Sequence, residues 1–319
     1  MGQGVDILLP VFGIVALGFA ATRIGWFDDA ARRGLSHFVF TFAIPVLLFR
    51  TLAATQLPAV LPWTYLLSYY GGVASVFLIS MMISRIIFRQ PLEGQAVHGL
   101  GGAFSNTVLL GTPLILTAFG EAATLPLFLL IAFHGVLILP IGTVLIETGL
   151  SAQSRLDGDR VRVGEIARQA ALGVVTNPII LGLAAGLAAN LAGWAPTGAV
   201  DRMAALLGQA ALPCALFAMG ASLARFRLAG AVPQALAIVA VKLVVHPAVV
   251  WLLAVRLFGL DPLWAGVAVV LAGMPTGVNI YLYAQRYEIE IAPIATAILI
   301  GTALSVLTIG VLTAVMVPA

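Results

Sequence analysis

Gly101-Gly102-Ala103-Phe104-Ser105-Asn106-Thr107-Val108-Leu109-Leu110-Gly111-Thr112-Pro113 sets three consecutive polar side chains and a Gly-x-Pro step inside an otherwise apolar run. The second half of the chain carries similar punctuation in Gly273-Met274-Pro275-Thr276-Gly277-Val278-Asn279. Proline in a helix interior removes a backbone donor and clashes with the preceding turn. In lipid nothing replaces the lost partner, so such a break persists only where the freed groups face protein, water or a ligand. A pair of breaks, one per half, marks a binding site near the bilayer midplane.

The surrounding sequence requires a membrane. Hydrophobic residues make up 61% of the 319 and charged residues 9%, against roughly a quarter in soluble domains. Mean hydropathy is +1.08. Ten apolar stretches can cross about 30 Å of hydrocarbon: 6–22, 34–52, 63–87, 95–118, 124–147, 167–191, 203–224, 232–257, 263–285 and 291–317, here spans 1 to 10. The predicted fold is an all-α polytopic membrane protein of ten transmembrane helices. A polar stretch at 148–166, with Arg155, Asp157, Asp159, Arg160, Arg162 and Glu165, reads as a cytoplasmic linker between five-span groups at 1–147 and 167–319.

Charge sets the orientation. Arg23, Arg32, Arg33, Arg85, Arg89, Arg155, Arg160, Arg162, Arg168, Arg225, Arg227 and Arg286 fall on one side. Only Arg50, Arg202 and Arg256 fall on the other, which places both termini outside the cytoplasm. Five spans is an odd number, so the second group inserts upside down and an inverted repeat follows. Ile44-Pro45-Val46-Leu47-Leu48-Phe49 echoes Leu212-Pro213-Cys214-Ala215-Leu216-Phe217 at an offset of 212 − 44 = 168. The Gly-x-Pro steps are offset by 273 − 111 = 162. Spans 4 and 9 are the expected interrupted helices, with Gly111, Pro113, Gly273, Pro275 and Gly277 at the breaks.

Polar groups inside spans 4 and 9 need partners. Ser105 and Thr107 suit interhelical hydrogen bonding as well as a ligand. Asn106, Thr276 and Asn279 are candidate ligand donors, and unwound helix N-termini beside them would favour an anion. Lys242 is the only lysine in the chain and lies in span 8, four residues before His246-Pro247. A lysine at that depth pairs, snorkels or borders water. His246 shares its helix face, and His246 and His134 also suit packing roles.

Other chemistry is disfavoured. No carboxylate is read well inside a span, which argues against a carboxylate-based proton pump. Sodium stays open through unwound carbonyls and asparagines. No nucleotide loop, Cys/His ligand set or nucleophile with a converging base appears, so neither an enzyme nor a cofactor or metal site is expected. The +3 charge reads as topology rather than nucleic-acid binding. Cys214, the single cysteine, is expected to be a buried thiol. The N-terminus lacks the basic region of a cleaved signal peptide.

Five stretches resemble the auxin efflux carrier family, whose bacterial members include proteins described as malonate and malate permeases. They are Leu9-Pro10-Val11-Phe12 with Gly18, Gly25 and Phe42 to Phe49; Ser105-Asn106-Thr107 to Gly111-Thr112-Pro113-Leu114 and Phe119-Gly120-Glu121; Asn177-Pro178; Lys242 to Pro247; and Pro275-Thr276-Gly277-Val278-Asn279 to Ala284-Gln285-Arg286-Tyr287. The resemblance implies a secondary transporter of small organic anions, carboxylates such as malonate, malate or auxin-like weak acids, in the bacterial inner membrane. It implies two inverted five-helix repeats, spans 4 and 9 crossing in a mobile domain, and an elevator-type slide along a scaffold of spans 1, 2, 6 and 7 that supports a homodimer. Asn106 matches the family asparagine before the crossover, and Asn177 the start of span 6. Lys242 matches a basic position that balances substrate charge or ties the crossover. Alternatives are a sodium symporter like the distantly similar bile acid transporters, and a carboxylate-binding membrane receptor.

Overall fold

A computed structural model describes residues 2–55, 62–154, 176–226 and 231–317. The linker beyond Ser154, the first part of span 6, Arg168 and Arg227 lie outside the described residues. The described chain is predominantly helical and contains no strand. Six runs are long and apolar enough to cross a membrane: Asp29–Ala54, Trp63–Ile86, Glu121–Ser151, Gly198–Leu223, Val232–Leu257 and Ile291–Met316. Shorter apolar helices occupy Leu8–Arg23, Thr107–Phe119, Pro178–Leu191 and Pro262–Ala272.

Tertiary contacts divide the chain into two units. The first comprises Met1–Pro62, Val108–Ala132 and Leu172–Arg225. Its helices are α1 (Gly2–Arg23), α2 (Asp29–Phe38), α3 (Ile44–Ala54), α6 (Thr112–Phe119), α8 (Pro178–Leu191), α9 (Gly198–Leu223) and the start of α7 (Thr124–Ser154). Between apolar helices in lipid the hydrophobic drive is small, and close backbone approach over small residues supplies the attraction instead. Glycines provide that approach at two crossings. Where α1 meets α9, a Cβ on Gly18 would lie 2.2 Å from Phe217 O, and one on Gly220 1.9 Å from Val15 O. Where α3 meets α8, Gly182 and Gly186, four residues apart, sit against the backbone of Pro45 and Phe49. Asn190 closes the end of α3, its Nδ2 donating to Leu52 O at 2.9 Å and Thr55 O at 2.6 Å. Leu52 O otherwise takes a long bond from Thr55 N–H at 3.4 Å, and Thr55 O lies beyond the end of the helix.

The second unit comprises Trp63–Thr107, Phe133–Ala171 and Phe226–Ala319. It holds α4 (Trp63–Ile86), α5 (Leu92–Ala103), the remainder of α7, α10 (Val232–Ala240), α11 (His246–Trp251), α12 (Pro262–Ala272), α13 (Val278–Tyr287) and α14 (Ile291–Met316). Its core surrounds α12, every residue of which from Ala265 to Ala272 is buried. Helix α7 runs on to Ser154, past the expected repeat boundary at 147.

Candidate functional site

Of the two expected breaks, that at Gly273, Pro275 and Gly277 lies in non-helical backbone as the sequence led us to expect, whereas Gly111 and Pro113 do not interrupt span 4. Pro45, Pro113 and Pro247 each stand in the first turn of an α-helix that follows a π-helical turn, at Val39–Ala43, Thr107–Gly111 and Val241–Val245 respectively. In the widened turn Ile44 N–H reaches Val39 O and His246 N–H reaches Val241 O, five residues back. The carbonyl that the proline ring would strike is thereby displaced, and the missing N–H falls where helix starts leave amides unused. Gly111 and Pro113 accordingly lie in helical backbone, and Pro213 sits inside α9.

The interruption of span 4 lies upstream, at Phe104-Ser105-Asn106, and that of span 9 at Gly273 to Gly277. The residues that the two breaks bring together, Ser105 and Thr276, are 276 − 105 = 171 positions apart, nearer the 168 of spans 2 and 7 than the Gly-x-Pro offset is. Both breaks belong to the second unit, and they satisfy each other. Ser105 and Thr276 form a single antiparallel bridge. Asn106 N–H donates to Pro275 O and Gly277 N–H to Phe104 O, both at 2.9 Å. Thr276 Oγ1 donates to Gly101 O at 2.7 Å. In an unbroken helix Gly101 O would take the Ser105 amide, which here donates to His134 Nε2 at 3.0 Å. Gly277 is required by proximity: a Cβ there would come within 2.8 Å of the Phe104 ring.

Lys242 ties the breaks together. Its Nζ donates to Ser105 Oγ at 2.7 Å and to Ala272 O at 2.6 Å, and lies 2.8 Å from His246 Nδ1. An ammonium has three donors, and these three acceptors match them. With Nδ1 accepting, His246 keeps its proton on Nε2, which has no partner among the described residues. Lys242, His246 and Ser105 are all completely buried. A serine and a lysine at this distance would suit nucleophile and base in an enzyme, but neither reaches a surface here, and the lysine is shared by three segments. Two groups the sequence did not assign to this cluster belong to it: His134, which orients Ser105, and Tyr69, whose ring lies 5.9 Å from both His134 and His246. Nothing in the spacing announced Tyr69.

The remaining expected residues fall in different settings. Asn106 and Thr107 are buried beside the bridge, whereas Asn279, in the first turn of α13, is exposed. Asn177 belongs to the first unit, where its Oδ1 caps α8 by accepting from Ile179 N–H at 2.9 Å. At the far end of α5 the second unit holds a pair absent from the sequence reading. His98 Nε2 lies 3.1 Å from Glu290 Oε2, and Glu93 is also buried. Carboxylates that looked like loop residues are thus inside the packed unit. No group of three or more His, Cys, Asp or Glu among the described residues could hold a metal ion.

What the second unit offers chemically is the break itself, with α13 restarting at Val278 beside Asn106 and Thr107. The first amides of α13 have no acceptor within their own helix, and hydroxyl and amide side chains lie beside them. Such an arrangement recognises an anion through donors rather than a full positive charge.

Comparison with known proteins agrees with the membrane architecture. The membrane transport protein family matches residues 4–313. A protein of Rhizobium meliloti (strain 1021) named "Putative malonate transporter" is 30% identical over 310 residues, covering 97% of this chain and 94% of that protein. The "Lysosomal cholesterol signaling protein" of Mus musculus is 30% identical over 191 residues, 57% of this chain and 21% of that protein. With its apolar helices and a match from end to end, the chain belongs to the membrane transport protein family, the auxin efflux carrier family that its sequence resembles, and is a multi-pass transmembrane transport protein.

Proposed function

We propose that this protein is a secondary carrier of small carboxylates, of the size of malonate and malate, working by elevator-type alternating access. The observation that carries the reading is the mutual pairing of two helix breaks within one unit. The break in span 9 restarts α13, whose N-terminal amides and partial positive charge suit a carboxylate. Asn106 and Thr107 follow Ser105 at the bridge that Thr276 makes with it, and Asn279 lies one turn beyond Thr276. Asn106 is the proposed carboxylate donor. Because Lys242 spends its donors on Ser105, Ala272 and His246, it holds the breaks in register and balances substrate charge through the field rather than by contact. The malonate named for the Rhizobium protein supports the substrate class.

Two further features support inverted repeats. In the first unit span 1 packs on span 7 (α1 on α9) and span 2 on span 6 (α3 on α8), the exchange that a two-fold axis between repeats requires. Both interrupted spans occupy corresponding places in the two groups of five. Spans 1, 2, 6 and 7 fall in the first unit together with Val108–Ala132, and both breaks fall in the second, a grouping that supports a scaffold and a moving body. On the arginine distribution both termini lie outside the cytoplasm of a bacterial inner membrane, and the scaffold faces support a homodimer.

The test is uptake of radiolabelled malonate, malate and indole-3-acetate into proteoliposomes, with and without sodium or pH gradients. Saturable malonate or malate uptake is expected. Sodium dependence would place the protein with bile-acid-type symporters. Tight binding without uptake would replace the carrier by a receptor, and no interaction with any of the three would remove the substrate class.

A further inference from the structure

The outer face of the second unit carries a long apolar groove of about 480 Å³. One wall is span 8, through Leu243, Val244, Pro247, Ala248 and Trp251; the other is α14, through Leu307, Val311, Leu312 and Val315, and Val269 of α12 lies at the base. The wall positions recur every three or four residues, so each helix contributes one straight ridge. From Leu243 to Trp251 is eight residues, about 12 Å at 1.5 Å per residue. Half of a hydrocarbon core of about 30 Å is about 15 Å. The groove is therefore about one leaflet deep, running from beside Lys242 in mid-span to Trp251, five residues before Arg256.

Its chemistry changes along its length. Midway, beside Pro247, Leu312 fills the space where Gly273 of the span 9 break lacks a side chain: a Cβ on Gly273 would lie 2.3 Å from Leu312 Cδ1. Pro247 of the same wall follows His246, which bonds Lys242. At the far end Arg256, in the last turn of span 8, lies over the Trp251 ring at 5.2 Å. Arg256 is exposed and has no carboxylate partner among the described residues. A tryptophan and an unpaired arginine closing an apolar slot provide a headgroup contact above a tail contact.

We propose that this groove is a specific site for one acyl chain of an anionic phospholipid, with the headgroup phosphate at Arg256 and the tail against Leu312 and Pro247. Val311 and Val315, 64% and 71% exposed, are then covered by the tail. The bound chain buttresses the span 9 break from its lipid side, so the membrane itself contributes to the rigidity of the crossover. The occupant is fixed by dimension and charge: a tail of one leaflet's length, and a negative headgroup rather than a zwitterionic one.

The test uses Trp251 as the sole tryptophan, with Trp26, Trp63, Trp194 and Trp264 replaced by phenylalanine, in vesicles doped with phosphatidylglycerol or phosphatidylcholine bearing brominated acyl chains. Brominated phosphatidylglycerol is expected to quench Trp251 at about fivefold lower mole fraction than the choline lipid. Arg256→Gln should abolish that preference, and Val311→Phe should weaken quenching by both lipids. Equal quenching by the two lipids, unchanged in Arg256→Gln, would mean annular lipid only and would overturn the proposal. A Trp251 shielded from both would mean that a second copy of the chain covers the groove, and would overturn it too. If the four substitutions unfold the protein, native mass spectrometry of the unmodified chain gives the same decision. Retained phosphatidylglycerol must exceed phosphatidylcholine and must be lost in Arg256→Gln.

Discussion

Replacing Thr276 by valine removes one hydroxyl from the paired breaks and leaves the side-chain shape nearly unchanged. Thr276 Oγ1 is the donor that covers Gly101 O, the carbonyl abandoned when Ser105 turned its amide to His134. Both groups are buried. A buried carbonyl left without a donor costs about 1–3 kcal/mol, and restoring the helical Ser105 to Gly101 bond would pull Ser105 off its bridge with Thr276. The local opening free energy of the crossover should therefore fall by that amount, making exchange about 5- to 150-fold faster. Hydrogen–deuterium exchange of peptides covering 101–107 and 273–280, in nanodiscs, reads this directly. Thr276→Ser keeps the hydroxyl and should exchange close to wild type. If Thr276→Val and Thr276→Ser both exchanged at the wild-type rate, Thr276 would not be holding the first break and the reasoning would fail.

Gly220→Val in the first unit would set side-chain carbon where Val15 O now sits; separating α1 from α9 should cost at least about 1–3 kcal/mol, seen as a lower midpoint in thermal unfolding. Gly277→Ala should cost about 1–3 kcal/mol by pressing on Phe104, whereas Pro113→Ala, at the first turn of α6, should shift the same midpoint by less than about 1 kcal/mol. The opposite ranking would restore Gly111-Thr112-Pro113 as the break. Lys242→Met leaves Ala272 O and His246 Nδ1 without their donor, so exchange at 273–277 should accelerate more than tenfold while exchange in α1 and α9 stays unchanged; protection at 273–277 equal to wild type would show that the lysine is not the tie.

The architecture was legible because lipid imposes length and composition on each helix, and all ten apolar stretches contain a helical segment. The breaks were legible as to span and polar content, and the position was legible in span 9 but not in span 4. Proline carried the sequence argument, yet at Pro45, Pro113 and Pro247 a π-turn absorbs it within continuous helix. What interrupts span 4 is pairing with a segment some 170 positions later, a tertiary event with no local signal beyond the cluster Ser105-Asn106-Thr107. Lys242 was conspicuous as a cation in an apolar span, and its partner His246 followed from helical spacing. Its other partners, Ser105 and Ala272 O, arrive from distant segments. The buried His98 and Glu290 pair stayed hidden for the complementary reason: Glu290 sits at a span end, where sequence alone reads a carboxylate as solvated, and only packing against α5 encloses it.

The central claim is that the paired breaks bind the transported anion, and malonate uptake into proteoliposomes by wild type, Asn106→Ala and Asn177→Ala tests it most directly. Asn106 lies within the break, whereas Asn177 caps a helix of the other unit. Saturable uptake that is lost in Asn106→Ala and kept in Asn177→Ala, with both variants folded, is the predicted result. Uptake that survives in Asn106→Ala with unchanged affinity would contradict the claim and move the substrate away from the crossover.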